Sequence, residues 1–338
     1  MEGGNTMSKK VVLGLSGGVD SAVAARLLSE RGFEVFGLYM DIAGEAAKRD
    51  AIETARFLNV RLEVVDISRE LEENVCSYFV DSYLRGETPN PCIMCNPMVK
   101  FKTLISCADK IGADYIATGH YARAIDGGLY KGQPSNDQSY MLCQLRLEQL
   151  SRTVFPLGEL EKKQVRALAA EMNLPVANKP DSMEICFVPD GDFGSFIESR
   201  GTFPSEGNFV SPEGEVLGRH RGIHRYTVGQ GKRLGIALGK RTFVSEIRSA
   251  TNEIVLSDGD ELFVREINVK NVNWLVPKHS EFCATVRVRH SKQETGAKIT
   301  PTETGADICF NEPVRAPVRG QTAAFYDSER VIGGGFIQ

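Results

Sequence analysis

The strongest constraint in this sequence is the alternation of short apolar runs with helical stretches through its first third. Val11, Val12, Leu13, Gly14 and Leu15 form an apolar run, and after a Gly turn Val19, Val23, Leu27 and Leu28 recur at helical spacing. Gly32 closes that helix, and residues 34–40 read as a second buried strand. Ala47, Ala51, Ile52, Ala55 and Leu58 then predict a helix, and residues 62–66 a third strand. Helices follow through Leu71, Val75, Tyr78 and Phe79, and through Phe101, Leu104, Ile105, Ala108 and Ile111, before a strand at 115–118. Strands separated by helices of this length belong to a parallel, doubly wound sheet, because a parallel crossover needs a dozen or more residues. Ligands of such sheets sit at the carboxyl ends of strands, where Ser16 to Ser21, Met40 and Gly119 fall.

From about residue 200 the texture changes. Gly and Thr rise, and short strand-like runs appear at 225–228, 242–247 and 253–256. Beyond Glu266, period-two alternation is clearer at 284–289, 306–310 and 322–326, as expected of small antiparallel β domains or a barrel. The expected class is therefore α/β followed by β, divided at 1–200, 201–265 and 266–338. The 338 residues suffice for two or three domains. Trp274 reads as a core residue of the last domain.

No apolar run reaches membrane-spanning length, and the N-terminus lacks the apolar segment of a secretory signal, so a cytoplasmic location with no membrane partner is expected. In a reducing compartment the eight cysteines are thiols, metal ligands or catalytic groups. Cys76, Cys107, Cys143, Cys283 and Cys309 sit in apolar patterns and read as buried hydrophobes. Cys92 and Cys95, flanked by Pro89, Pro91 and Asn96, read as loop residues. The net charge of −4 argues against a chain that coats nucleic acid nonspecifically. One stretch is basic: Arg219, Arg221, Arg225, Lys232, Arg233, Lys240 and Arg241, with no Asp or Glu among them, is a local patch able to attract phosphates, and as a bland alternative is a solvated face.

The sharpest local signal is Ser16-Gly17-Gly18-Val19-Asp20-Ser21 between a strand and a helix. Two glycines let the backbone approach an anion, the helix start offers unpaired N–H groups and a positive dipole end, and two hydroxyls add donors. This is a pyrophosphate cradle. It is neither a Walker A loop nor Gly-x-Gly-x-x-Gly. Asp20 is a carboxylate suited to hold Mg²⁺ on the phosphates.

That loop resembles the loop of the ATP pyrophosphatases, which cleave ATP to AMP and pyrophosphate while adenylating an oxygen. Residues 86–96, 100–102, 117–123, 137–140, 155–158, 182–187 and 226–230 narrow the match, in order along the chain, to the bacterial tRNA-specific 2-thiouridylases. The resemblance implies an adenine nucleotide α-hydrolase-like domain followed by two small β-rich domains, the last a β-barrel that contacts tRNA. It implies adenylation of O2 of the wobble uridine and its replacement by sulfur, with tRNA and a sulfur-donor or persulfide carrier protein as partners. Carried over, Gly14, Leu15, Ser16, Gly17, Gly18, Val19, Asp20 and Ser21 bind the triphosphate, with Met40 and Gly119 near the adenosine. Cys186 accepts a persulfide and Cys95 is its partner. Asn90, Pro91 and Cys92, Asn136, Asp137 and Gln138, and Arg289 with His290 touch the tRNA.

The chain departs from the family's pattern at Cys92, where many members carry Asp; at Asn136, in place of Lys; at His290, in place of Tyr; and in the short segment after Met40. Cys92, Cys95 and Cys186 make three thiolates, enough to hold a 4Fe–4S cluster with one open iron. Persulfide relay and cluster chemistry both stand at this point. Two other classes are weighed against them: an amide-forming ligase on the same ATP loop, and a tRNA-binding relative without chemistry. Pro91-Cys92-Ile93-Met94-Cys95 is also half of a zinc-deaminase signature, but no His-x-Glu precedes it.

Overall fold

The computed structural model describes residues 8–42, 45–181, 185–188, 190–277, 280–290 and 293–338. The chain divides into two compact units. The first comprises Met1–Asn74, Cys92–Met183 and Glu329–Val331; the second comprises Val75–Pro91, Glu184–Ser328 and Ile332–Gln338.

In the first unit, strands β1 (Lys10–Gly14), β2 (Glu34–Asp41), β3 (Arg61–Asp66), β4 (Tyr115–Ala117) and β7 (Thr153–Val154) form one sheet in the order β3-β2-β1-β4-β7, and β5 (Ala122–Ile125) and β6 (Gly128–Lys131) form a hairpin between β4 and β7 in sequence. Every pairing in the five-stranded sheet is parallel. β1 is central, which is why Val11, Val12 and Leu13 form a continuous run without exposed surface. β3 lies at the edge, and its Val64 is exposed. Helix α1 (Val19–Glu30) buries Ala22, Val23 and Leu28 in the same core as Val11, Leu13, Val165 and Ala169. Burying each large aliphatic side chain of that core contributes roughly 1.5–3 kcal/mol.

The second unit holds two β assemblies. β8 (Gly207–Val210), β9 (Val216–His220), β10 (Phe243–Arg248) and β11 (Glu253–Ser257) form a sheet in the order β10-β11-β8-β9. β12 (Phe263–Trp274), β13 (Phe282–Arg287), β14 (Thr295–Pro301), β15 (Gly305–Arg315), β16 (Thr322–Asp327) and β17 (Arg330–Ile337) run in the order β12-β15-β14-β13-β16-β17, and pairing of β12 with β17 closes a six-stranded barrel. Alternate residues fill it, among them Val286, Ala297, Ile299, Ile308, Phe310 and Phe325. Trp274 packs there, half-buried, with ring centroids 5.7 Å from Phe325 and 6.0 Å from Phe282.

Three sequence expectations change. Residues 225–228 form no strand: Ile223–Arg225 is a single 3₁₀ turn, and Tyr226 turns inward against Phe209 and His220. Cys283 and Cys309 are exposed, whereas Cys76, Cys107 and Cys143 are buried as expected. The period of two explains Cys309, because its neighbours Ile308 and Phe310 point into the barrel. Cys92 and Cys95 lie on a helical turn, Pro91–Cys95, and not in a loop. Pro91 opens that turn, where its missing N–H costs nothing and its fixed φ suits a helix.

The barrel's tightest point is Gly305, where an added Cβ would stand 1.8 Å from the Val269 carbonyl oxygen across the β12–β15 ladder. Gly305→Ala is expected to destabilise the protein by about 2–4 kcal/mol, as backbone clashes in packed sheets do, read as a lowered urea midpoint. An unchanged midpoint would show that the ladder gives way freely there.

Candidate active site

In the first unit the Ser16–Ser21 loop leaves the carboxyl end of β1, where Leu15 N–H donates to the Leu38 carbonyl at 2.9 Å. Gly17 has φ +72°, and a Cβ there would meet the Ala47 carbonyl at 2.4 Å. Only glycine meets both demands. Gly18 caps α1 without a side chain of its own. The hydroxyls brace the turn: Ser16 N–H donates to Ser21 Oγ at 3.2 Å, and Ser21 Oγ donates to the Gly18 carbonyl at 3.0 Å. Ser16 itself is exposed, and its Oγ lies 3.2 Å from Ser21 Oγ. Gly119, just after β4, backs onto this turn: a Cβ on it would stand 3.1 Å from Ser21 N. Met40 lies near the end of β2, half-buried.

Around this frame stand residues that sequence reasoning missed. Lys162 Nζ donates to both carboxylate oxygens of Asp20 at 2.8 Å, and the Tyr121 hydroxyl donates to Asp20 Oδ1 at 2.6 Å. Lys162 also pairs with Asp181 at 2.8 Å, and Arg166 pairs with the same carboxylate. Lys179 donates to the Gly17 carbonyl at 2.9 Å and pairs with Asp50. Burial and then the Asp20 bond push the Tyr121 hydroxyl well above its ordinary value. Burial opposes ionisation of Asp181, but Lys162 and Arg166 hold its carboxyl below the usual range. Two lysines and an arginine at a glycine turn suit a polyanion. The only hint in sequence was their closeness to the Pro156 and Cys186 motifs, which says nothing of side-chain direction.

His120 bonds through Nδ1 to Thr118 Oγ1 at 2.7 Å, its ring between Phe101 and Phe155. Burial, with Lys100 nearby, pushes its imidazole down to about 3. The 136–138 segment is held from within: Asp137 is buried and accepts from Gly132 N–H, Ser139 N–H and Ser139 Oγ. Gln138 exchanges two bonds with the Tyr121 backbone, at 3.0 and 2.8 Å, and Asn136 donates to the Leu160 carbonyl. That leaves these side chains engaged within the fold.

Of the cysteines, Cys95 is buried and Cys92 half-buried, three residues apart on one face of the Pro91–Cys95 turn. The helix continues through a π-helical turn, Asn96–Lys100, in which Asn96 donates to the Met141 carbonyl at 2.9 Å. In the second unit Asn90 is half-buried, Pro91 buried and Cys186 exposed, while Ser182, Met183 and Glu184 of the motif lie outside the described residues. Arg289 donates twice to the Ala316 carbonyl, once at 2.9 Å, and His290 is exposed. Among the described residues, no three His, Cys, Asp or Glu side chains are grouped as a metal site.

The lowered imidazole of His120 carries a pH signature. Its folded value lies far below the ordinary 6.5, so between 6.5 and about 3 the unfolded chain holds more protons and stability falls as pH drops. One proton gives a slope of up to about 1.4 kcal/mol per pH unit. Denaturant midpoints measured from pH 7 to 5 are expected to fall more steeply for the wild type than for His120→Gln; parallel curves would show that the ring titrates freely.

Comparison with known proteins agrees with this architecture. Residues 9–190 match the family model described as a tRNA methyl transferase HUP domain, 194–258 its PRC-barrel domain, and 264–337 an aminomethyltransferase β-barrel domain. The tRNA-specific 2-thiouridylase MnmA 1 of Clostridium botulinum (strain Okra) is 41% identical over 98% of this chain and 99% of its own length. That of Lachnoclostridium phytofermentans is 44% identical over 97% and 99%. With a glycine turn at the end of a parallel strand, a closed barrel and matches that span 97–98% of the chain, this protein belongs to the tRNA-specific 2-thiouridylase family.

Proposed function

We propose that this protein is a tRNA-uridine 2-sulfurtransferase, which uses ATP to thiolate the wobble uridine of tRNA. The single observation that carries the reading is the full-length similarity to relatives named tRNA-specific 2-thiouridylases. Residues 1–200 form the catalytic domain in this reading, with 201–265 and 266–338 as β-rich domains, the last contacting tRNA near Arg289 and His290.

The Gly14–Ser21 loop holds the triphosphate, Lys162 and Lys179 offset its charge, and Met40 and Gly119 flank the adenosine. Mg²⁺ arrives with the nucleotide; a role for Asp20 in holding it requires Lys162 to turn from the carboxylate to the phosphates. Uridine O2 attacks the α-phosphate, forming an O–P bond and releasing pyrophosphate, so the poor leaving group becomes AMP. The terminal sulfur of a Cys186 persulfide attacks C2 and expels AMP. Cys95, as thiolate, then attacks the Cys186 sulfur, leaving 2-thiouridine and a Cys95–Cys186 disulfide that an external thiol reduces. The exposure of Cys186 suits loading by a persulfide carrier, and the burial of Cys95 suits a resolving thiol kept from solvent. Neither an amide ligase nor a non-catalytic tRNA binder has a use for that pair.

Cys186→Ser and Cys95→Ser are each expected to abolish 2-thiouridine on unmodified tRNA by mass spectrometry, while ATP–pyrophosphate exchange with tRNA present persists. Thiolation surviving in Cys186→Ser would sink the relay. So would stoichiometric iron and acid-labile sulfide after anaerobic purification, which would establish a cluster in its place.

A further inference from the structure

We propose that Arg221 and Arg233 line a phosphate-binding cleft in the second unit that takes the sugar–phosphate backbone of RNA. The inference rests on the RNA reading above and adds a site to it.

The structure sorts the five arginines of the run between Arg219 and Arg241. Arg219 faces Asn208 at 3.3 Å and Glu206 at 3.9 Å. Arg225 is spent internally: its Nε and Nη2 donate to the two oxygens of Glu198 at 2.7 and 2.6 Å, and Nη1 lies 3.5 Å from Asp192. Arg241 lies over the Phe243 ring. Arg221 and Arg233 differ from these. Both are exposed, and among the described residues neither has a hydrogen-bond or ion-pair partner. Both line the same cleft of about 330 Å³, with Phe193, Gly194, Arg225 and Tyr226 among its other walls.

The cleft's walls are built, which separates it from a solvated charge run. His224, without exposed surface, bonds Glu198 at 2.9 Å beside Arg225, so Glu198 is gripped from two sides. Gly194 forms part of the floor, where a Cβ would stand 2.6 Å from Arg225 Nη1. The buried Tyr226 hydroxyl donates to the Leu234 carbonyl at 3.4 Å, tying the Arg233 side of the cleft to the Arg221 side. Of the two acids on the walls, Asp192 is occupied: it accepts from Ser195 N–H at 3.0 Å and Ser195 Oγ at 2.6 Å, and it faces Arg225. That leaves two guanidinium forks over a cleft whose one unpaired carboxylate, among the described residues, is the exposed Asp190.

Guanidinium forks match phosphate oxygens bidentately. Two of them along an open cleft fit successive phosphodiesters better than one small anion. Arg225, the most enclosed cation of the run, supports the walls and is not itself a phosphate ligand.

The test is tRNA affinity of the full chain against KCl concentration, for wild type, Arg221→Gln/Arg233→Gln, and a control, Arg26→Gln/Arg69→Gln, that removes two exposed charges elsewhere. The cleft variant is expected to bind at least tenfold more weakly near 0.1 M salt, with its log–log salt slope reduced by about 1.5–2, since each phosphate that goes unneutralised lowers the slope by roughly one unit or slightly less. The control is expected to track the wild type, and circular dichroism to match in all three. An unchanged slope in the cleft variant, with wild-type binding intact, overturns this assignment alone. Loss of inorganic pyrophosphate binding in that variant, with tRNA binding unchanged, overturns it in favour of a small-anion site. A wild type that binds no tRNA at any salt overturns the functional reading, and this assignment with it.

Discussion

The candidate nucleotide site depends on how the Asp20 carboxylate is held. It stands in the first turn of α1, where an acid already favours the helix dipole, and it takes one hydroxyl and one ammonium into direct contact. Tyr121 and Lys162 come from segments over a hundred residues away in sequence, so this carboxylate joins the start of α1, the strand end after β4 and the helix Lys162–Glu171. Gly119 adds a close contact to the joint, since a Cβ on it would stand 3.1 Å from the backbone of the turn. Charge-assisted bonds of this kind are individually modest at partly exposed groups, about 1.5–3 kcal/mol before screening by solvent. Their consequence is positional: the glycine turn is fixed before any anion arrives, so little ordering remains for binding to supply.

The same joint bears on the 136–138 segment. Gln138 is bonded to the backbone of Tyr121, whose hydroxyl meets Asp20, while Asp137 is closed on its own loop. A segment that read as an RNA contact is therefore also a brace for the glycine turn. Its backbone and surface are what remain for a partner. Asn136, where the family carries Lys, bonds the Leu160 carbonyl, a task that needs no charge.

The thiols show how far environment, and not residue type, sets a role. Burial pushes the Cys143 thiol up to about 12, and burial with Glu63 pushes Cys107 up to about 11, so both are inert as nucleophiles near neutrality. Cys283 and Cys309 share a ladder position on either side of Lys298, outside the barrel, though their neighbours in sequence are apolar. Apolar neighbours in a barrel strand mark the opposite face, which is why the buried-hydrophobe expectation failed there and held for the helical Cys76 and Cys107.

The sequence by itself determined the parallel sheet, the glycine cradle and the β character of the later residues. Each is written in a local period or a local turn: an apolar β1, Gly17 at positive φ, and alternation along β15. Local patterns also misled where neighbours in space decide. Residues 225–228 alternate like a strand, yet Glu198 and Phe209 draw Arg225 and Tyr226 out of any ladder. Pro91 reads as a loop breaker but opens a helix carrying Cys92 and Cys95. Lys162, Lys179 and Tyr121 at the cradle, and the sorting of the basic run into spent and open arginines, were set only by tertiary structure. A charge carries no period that reveals its partner; only the fold determines which carboxylate it meets.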